Sequence, residues 1–201
     1  MTRHWLSDRR GFTLIETIVV VGIIGVVAAI SIPMMANTLG YLRLSGDARS
    51  SSNAVALTKM RASSVFGRVR LYIDRNAKSF HVETFDKTSA ICCWHDDGGL
   101  TYLSQNVSFS FGAVGTAPPS TQGAIGQPPL CKDDAGADVG NTSCVIFNSR
   151  GIPVDAAGSP GIVNVLYVTD GSAVYGIAVS ATGMVRSWRT LPTATPNWAV
   201  Q

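Results

Sequence analysis

The feature that most limits what this chain can become is a carboxylate set at the start of an otherwise apolar run. From Ile18 to Ile30 no side chain is polar, and the longer stretch Phe12 to Met35 holds only Thr13, Glu16, Thr17 and Ser31 as polar members. A helix that crosses a bilayer needs about 20 mostly apolar residues, so this stretch is long enough to span one. A short basic leader, MTRHWLSDRRG, precedes it, and there Arg3, Arg9 and Arg10 outweigh Asp8. Positive flanks stay on the cytoplasmic side, which predicts a single pass with the C-terminal part in the periplasm or outside the cell. Glu16 does not suit a plain anchor. A carboxylate costs roughly 2.5–3.5 kcal/mol at the centre of an inserted helix, and less near its end. A cleaved secretory signal is the simpler alternative, with Val27 and Ala29 as its small-residue site. Against it, the apolar run continues past that site with no polar, helix-breaking stretch before it.

Gly11-Phe12-Thr13-Leu14-Ile15-Glu16, after a basic leader and before an apolar helix, resembles the processing motif of type IV prepilins and type II secretion pseudopilins. The resemblance implies that a prepilin peptidase cuts after Gly11 and that Phe12 becomes N-methylated. It implies partners as well: inner-membrane lipid first, then other pilins or pseudopilins and an inner-membrane assembly platform. In such proteins the residue at Glu16 is an assembly device, pairing with the new N-terminal amine of a neighbouring subunit. Pro33 matches a proline that loosens the helix, since proline removes a backbone hydrogen bond. Gly22, Gly25 and Ala29 allow close helix approach. Loss of the leader removes three arginines and one aspartate, so the mature chain is nearer neutral than the full-length +3. That charge is therefore no nucleic-acid signature.

Beyond Pro33 a helical pattern resumes. Tyr41, Leu44, Ala48, Val55, Ala62 and Val65 recur at helical intervals between charged residues, which reads as the amphipathic second half of one long helix. Gly40, Gly46 and Ser50 to Asn53 weaken its continuity. From Gly67 the texture becomes strand-like: RVRLYID, SFHVETF, VSFSFGAV, SCVIFNS, VNVLYVTD, YGIAVSA and GMVRSWRT, separated by turn residues. Helix first and strands afterwards predicts an α+β chain. Its long N-terminal helix, transmembrane in its first half, packs on a β-rich globular head of antiparallel sheets. The expected organisation is a leader at 1–11, an apolar transmembrane and assembly helix at 12–36, its amphipathic continuation at 37–66, and a periplasmic head at 67–201. Gly112 to Pro129, rich in Gly, Pro, Ser and Thr, reads as a long exposed loop.

FNSRGIPV at Phe147 to Val154 and SATGMVRSW at Ser180 to Trp188 resemble the GspH/FimT branch of these proteins. That branch implies a minor pilin acting in type IV pilus biogenesis. The alternatives are a type II secretion pseudopilin and a DNA-binding minor pilin for natural transformation. The DNA alternative would use Arg186, Trp188 and Arg189, because cations beside an aromatic ring grip phosphates and stack on bases. Met184 directly follows Gly183 where DNA-binding relatives place a basic residue. Arg68 and Arg70 extend that patch only if the fold brings them near.

Cys92, Cys93, Cys131 and Cys144 all fall in the exported part, where disulfides form. Four cysteines allow three complete pairings. Cys131 with Cys144 would pin the polar loop between them, while strain disfavours a bond between the neighbours Cys92 and Cys93. CCWHDD has the wrong spacing for a structural zinc site. His81 lies in an alternating strand and is expected to face solvent. No G-x-S-x-G, H-E-x-x-H or P-loop occurs, so the expectation is a non-enzymatic protein with no metal and no cofactor.

Overall fold

The computed structural model describes residues 11–86, 88 and 93–201, side chains at 33, 36 and 37 excepted. The leader expected at 1–11, apart from Gly11, and Cys92 lie outside the described residues. One helix, α1, runs Leu14–Ser64. The chain forms two compact units, one up to Tyr41 and one from Leu42 to Gln201.

The first unit is the apolar part of α1. Leu14–Ile32, 19 residues, is long and apolar enough to cross a membrane, and none of it is buried in the structure. The helix starts on a cap written in the sequence. Thr13 Oγ1 accepts a hydrogen bond from the Glu16 amide at 3.3 Å, and the Thr13 carbonyl accepts from the Thr17 amide at 3.2 Å. Thr-x-x-Glu is the sequence form of a capping box. Glu16 thus sits in the first turn, where the helix dipole favours a negative charge. The backbone stays helical through position 33.

The second unit holds the rest of α1 and the strands β1 Val69–Asp74, β2 Ser79–Asp86, β3 Cys93–Asp96, β4 Thr101–Tyr102, β5 Cys131–Lys132, β6 Asp138–Val139, β7 Thr142–Phe147, β8 Pro153–Val154, β9 Asn164–Thr169, β10 Val174–Val179, β11 Val185–Thr190 and β12 Ala199–Val200. Among the described residues one sheet has the order β3-β2-β1-β7-β8, with β4 also on β2. A second has the order β12-β11-β10-β9, and β5 and β6 form a separate hairpin. Every pairing is antiparallel. The architecture is α+β, as the order of patterns predicts.

Strand alternation decides what faces the core. Val69, Leu71 and Ile73 of β1, Phe80 and Val82 of β2, Val145 and Phe147 of β7, and Tyr175, Ile177 and Val179 of β10 pack with Leu44, Ala48, Val55 and Ala62 of α1. The buried helical stripe also includes Ser51 and Thr58, which the apolar pattern misses. Thr58 is satisfied by its own helix, its Oγ1 donating to the Ala54 carbonyl at 2.7 Å. Gly40, Gly46 and the serine run do not interrupt α1, because packing of the buried stripe outweighs weak propensity.

The Gly112 to Pro129 segment corrects the sequence reading, as does VSFSFGAV, which is not a strand. Val107 and Phe109 enter the main core. Val114, with Phe111 and Ile125, covers the outer side of β9 and β10 over Val165, Tyr167 and Ala178. Two glutamines bind the segment to the free edge of β9. Gln127 donates Nε2 to the Tyr167 carbonyl at 2.9 Å and accepts from the Tyr167 amide at 3.0 Å. Gln122 Oε1 accepts from the Val165 amide at 3.2 Å, and Ser108 exchanges backbone bonds with Thr169. The edge is blunted by side chains that imitate a further strand, which removes a template for aggregation. Burial holds the Tyr167 phenol well above its ordinary pKa.

At the other end of α1, Arg61 and Asp97 form a two-pronged pair, with Arg61 Nη2 donating to Asp97 Oδ1 at 2.9 Å. Thr84 Oγ1 donates to the same carboxylate at 2.7 Å. Arg61 first, and Thr84 second, hold the Asp97 pKa below its usual value. A folded pKa below the unfolded value of about 4 adds stability above that pH, which is lost as pH falls through the folded value. Asp97→Asn should therefore make urea stability fall less steeply below about pH 4 than in the parent. Identical acid limbs would refute this.

Candidate functional site

Gly11 and Phe12 are exposed, and Glu16 is exposed on the first turn of α1. Gly11 to Thr13 are thus accessible and lead directly into the capped first turn of α1. The backbone at Pro33 is helical; the proline's side chain lies outside the described set.

The C-terminal residues separate. Arg186 and Trp188 lie on one face of β11, opposite Ala178 and Gly176 of β10. They line a depression of about 280 Å³ with Pro119, Val163 and Met184. Arg189 is on the other face, opposite Tyr175, its guanidinium 5.9 Å from that ring centroid. The RSWR sequence is thus not one basic patch, because alternation along a strand sends neighbouring side chains to opposite faces. Arg68 and Arg70 belong to the other sheet's side. Arg68 stacks on Phe85 at 4.0 Å. Arg70 is buried, bonded through Nε to Glu83 and through Nη1 to the Lys132 carbonyl at 2.6 Å, so it is not available to a phosphate.

Cys131 and Cys144 are joined by a disulfide, which ties β5 to the outer side of β7. Cys93 is disulfide-bonded. Sequence reasoning missed the residues that lock the turns at Gly151 and Gly183 together. Gly151 and Gly183 have φ of 69° and 77°, each the left-handed residue of a tight hairpin. Lys59 Nζ donates to the Gly183 carbonyl at 2.8 Å. A Cβ on Gly183 would sit 2.2 Å from the Gly151 oxygen. The signal was present as glycines within both motifs, but only contact between distant turns shows why glycine is needed. His81 is another correction. It is half-buried on the outer face of β2, with Nε2 3.1 Å from Glu83 Oε1 and 3.2 Å from Asp96 Oδ1. Cross-strand register with Tyr72 and Glu83 with Asp96 puts these groups together.

A family model of the prokaryotic N-terminal methylation motif matches residues 6–32. The match covers the basic leader's end and the apolar segment, so this part of the chain has the sequence of a prokaryotic N-terminal methylation motif. Two solved structures of the minor pseudopilin EpsH, from the type II secretion system of Vibrio cholerae, are similar to the chain. One has 12% identity and a TM-score of 0.44, covering 72% of this chain and 94% of that one. The other has 13% identity and a TM-score of 0.43, covering 77% and 95%. No curated protein matches the sequence significantly.

Proposed function

We propose that this chain is a non-enzymatic minor pilin of the GspH/FimT type that helps to initiate a type IV pilus. Prepilin peptidase cleaves it after Gly11, and Phe12 is then methylated. The apolar helix holds it in the bacterial inner membrane with its head in the periplasm, and later packs among the helices of other pilins. The observation that carries this reading is the methylation motif at the start of an apolar helical span, Leu14–Ile32, none of which is buried. That surface needs one apolar environment before assembly and another after it, and lipid and neighbouring helices supply the two. Glu16 is tolerable in both. The helix N-terminus favours its charge, and cleavage creates an α-amino group at Phe12 for a neighbouring Glu16 to pair with. Pro33 then serves as the point where the packed helix yields. Contact with DNA is left out, since Arg186 and Arg189 point to opposite faces.

The test is intact mass and N-terminal sequencing of the protein from its native host, beside a Gly11→Val variant. The expected mature chain begins at methylated Phe12 and is missing in the variant. An intact Met1, or a cut near Ala29, would overturn the proposal. In a deletion strain, loss of pili is expected. Lost protein secretion with pili intact would assign the chain to a secretion pseudopilus, which shares all of the N-terminal physics.

A further inference from the structure

The outer face of the β3-β2-β1-β7-β8 sheet carries polar groups that filament assembly through α1 does not use. The geometry points to a metal site there: His81 Nε2, Glu83 Oε1 and Asp96 Oδ1 bind one divalent transition-metal ion, with zinc as the best match. These three donor atoms all lie within 4.8 Å of one another. The imidazole nitrogen is 3.1 Å from one carboxylate oxygen and 3.2 Å from the other. Ligands bonded to zinc at about 2.0–2.2 Å stand roughly 3 to 3.5 Å apart in a tetrahedral shell, so the imidazole nitrogen already has that spacing from each carboxylate oxygen, and the exposed Asp96 side chain can close the third distance.

The backbone enforces this arrangement. His81 and Glu83 are two apart on β2 and so share a face, and Asp96 of β3 is the direct cross-strand partner of Glu83. Two carboxylates facing each other across a strand pair repel, and Glu83 is buried. A cation between them removes that penalty. Arg70 serves only the far side, through Glu83 Oε2, which fixes the carboxylate's orientation as an outer-shell partner does for a metal ligand. One nitrogen with two carboxylates suits zinc and its transition-metal neighbours better than calcium or magnesium, which favour all-oxygen shells. The donors line an open depression of about 450 Å³ that Asp133 and Asp134 also border, so an ion has access and room for water at its remaining positions. The competing reading is a direct hydrogen bond between the His81 ring and Glu83, with no ion between them.

The two readings part in a titration. Full-length chain in detergent micelles, stripped with chelator, is titrated with cobalt(II) and read by visible d–d absorption. Zinc chloride is then added to displace the cobalt. One cobalt per chain is expected, released by one zinc. Asp96→Asn, an exposed position that folding tolerates, should weaken binding at least tenfold. His81→Gln should abolish the absorption band. His95→Gln, on the opposite face of β3, should change nothing. Zinc should also raise the melting temperature of the parent and not of His81→Gln, since a ligand of the folded state stabilises it by mass action. No stoichiometric binding, or binding equal in the parent and Asp96→Asn, would overturn the site and leave a direct hydrogen bond between His81 and Glu83.

Discussion

Gly183→Val is expected to lower the stability of the head by about 3–5 kcal/mol, enough to leave much of it unfolded at 37 °C. Two separate costs combine. The residue has φ of 77°, a left-handed conformation that costs an ordinary L-residue about 1–2 kcal/mol and a β-branched one more. The new Cβ would also meet the Gly151 carbonyl oxygen at 2.2 Å. That oxygen is backbone, so no rotamer change relieves the overlap. Relief requires the two hairpin turns to part, and parting them strains the hydrogen bond from Lys59 to the Gly183 carbonyl. Gly151→Ala should be milder, because its Cβ meets the side chain of Lys59, at 2.9 Å from Cε and 3.0 Å from Cγ, rather than backbone, and a side chain can shift at the expense of its bond to Gly183. Gly123→Val, with open space around it and an ordinary φ, should be nearly silent. Thermal melts of the full-length chain in micelles, followed by tryptophan fluorescence, provide the measurement. Equal melting temperatures for the 183 and 123 variants would refute the clamp.

How much of this was legible in advance depended on the range of the interaction. The spanning segment, its cap and its processing motif are local, so Thr13 to Ser31 can be read straight from the residues. VRLYID was equally readable, because Val69, Leu71 and Ile73 fall on one buried face, and NVLYVT was readable from its β-branched and aromatic composition, being buried on both faces. VSFSFGAV alternates too, yet it is not a strand. Its apolar side chains are divided between two cores, and a period-two signal cannot distinguish that from a pleated edge. The glutamines on β9 left no pattern, since a side-chain amide replacing a strand is visible only when the edge is. The His81, Glu83 and Asp96 cluster was invisible for a similar reason. It depends on the register of β2 against β3, whereas CCWHDD offers donors from one short stretch, in which His95 and Asp96 alternate to opposite faces of β3. Arg70 and Glu83 illustrate the same limit. Their residue types suggest a solvated strand face, but the hairpin pinned by Cys131 and Cys144 covers them.

That covered pair yields the second large effect. Arg70→Met should destabilise the head by about 3–5 kcal/mol, because removing one partner of a buried ion pair strands the other. Methionine keeps most of the stem's volume, so the loss is chiefly of charge and hydrogen bonds. Arg70 is only 4% exposed. Its guanidinium bonds Glu83, donates to the Lys132 carbonyl and lies 4.0 Å from the Trp94 ring centroid. It therefore joins β1, β2, β3 and the β5–β6 hairpin at one point. Without it, Glu83 keeps His81, and the hairpin loses one of its links to the sheet while keeping the disulfide, the bond from the Trp94 amide to Asp134 and the bonds of Thr142 Oγ1 with the Cys131 amide and the Val139 carbonyl. If the stranded charge dominates, Arg70→Met with Glu83→Gln should be more stable than Arg70→Met by itself, with a coupling of about 1–3 kcal/mol. Urea unfolding is run with chelator present, so that no metal ion substitutes for the missing guanidinium. A double variant as unstable as the sum of the singles would mean that Arg70 acts through its stacking on Trp94 and its bond to Lys132, and that the charge of Glu83 is carried by His81 and solvent.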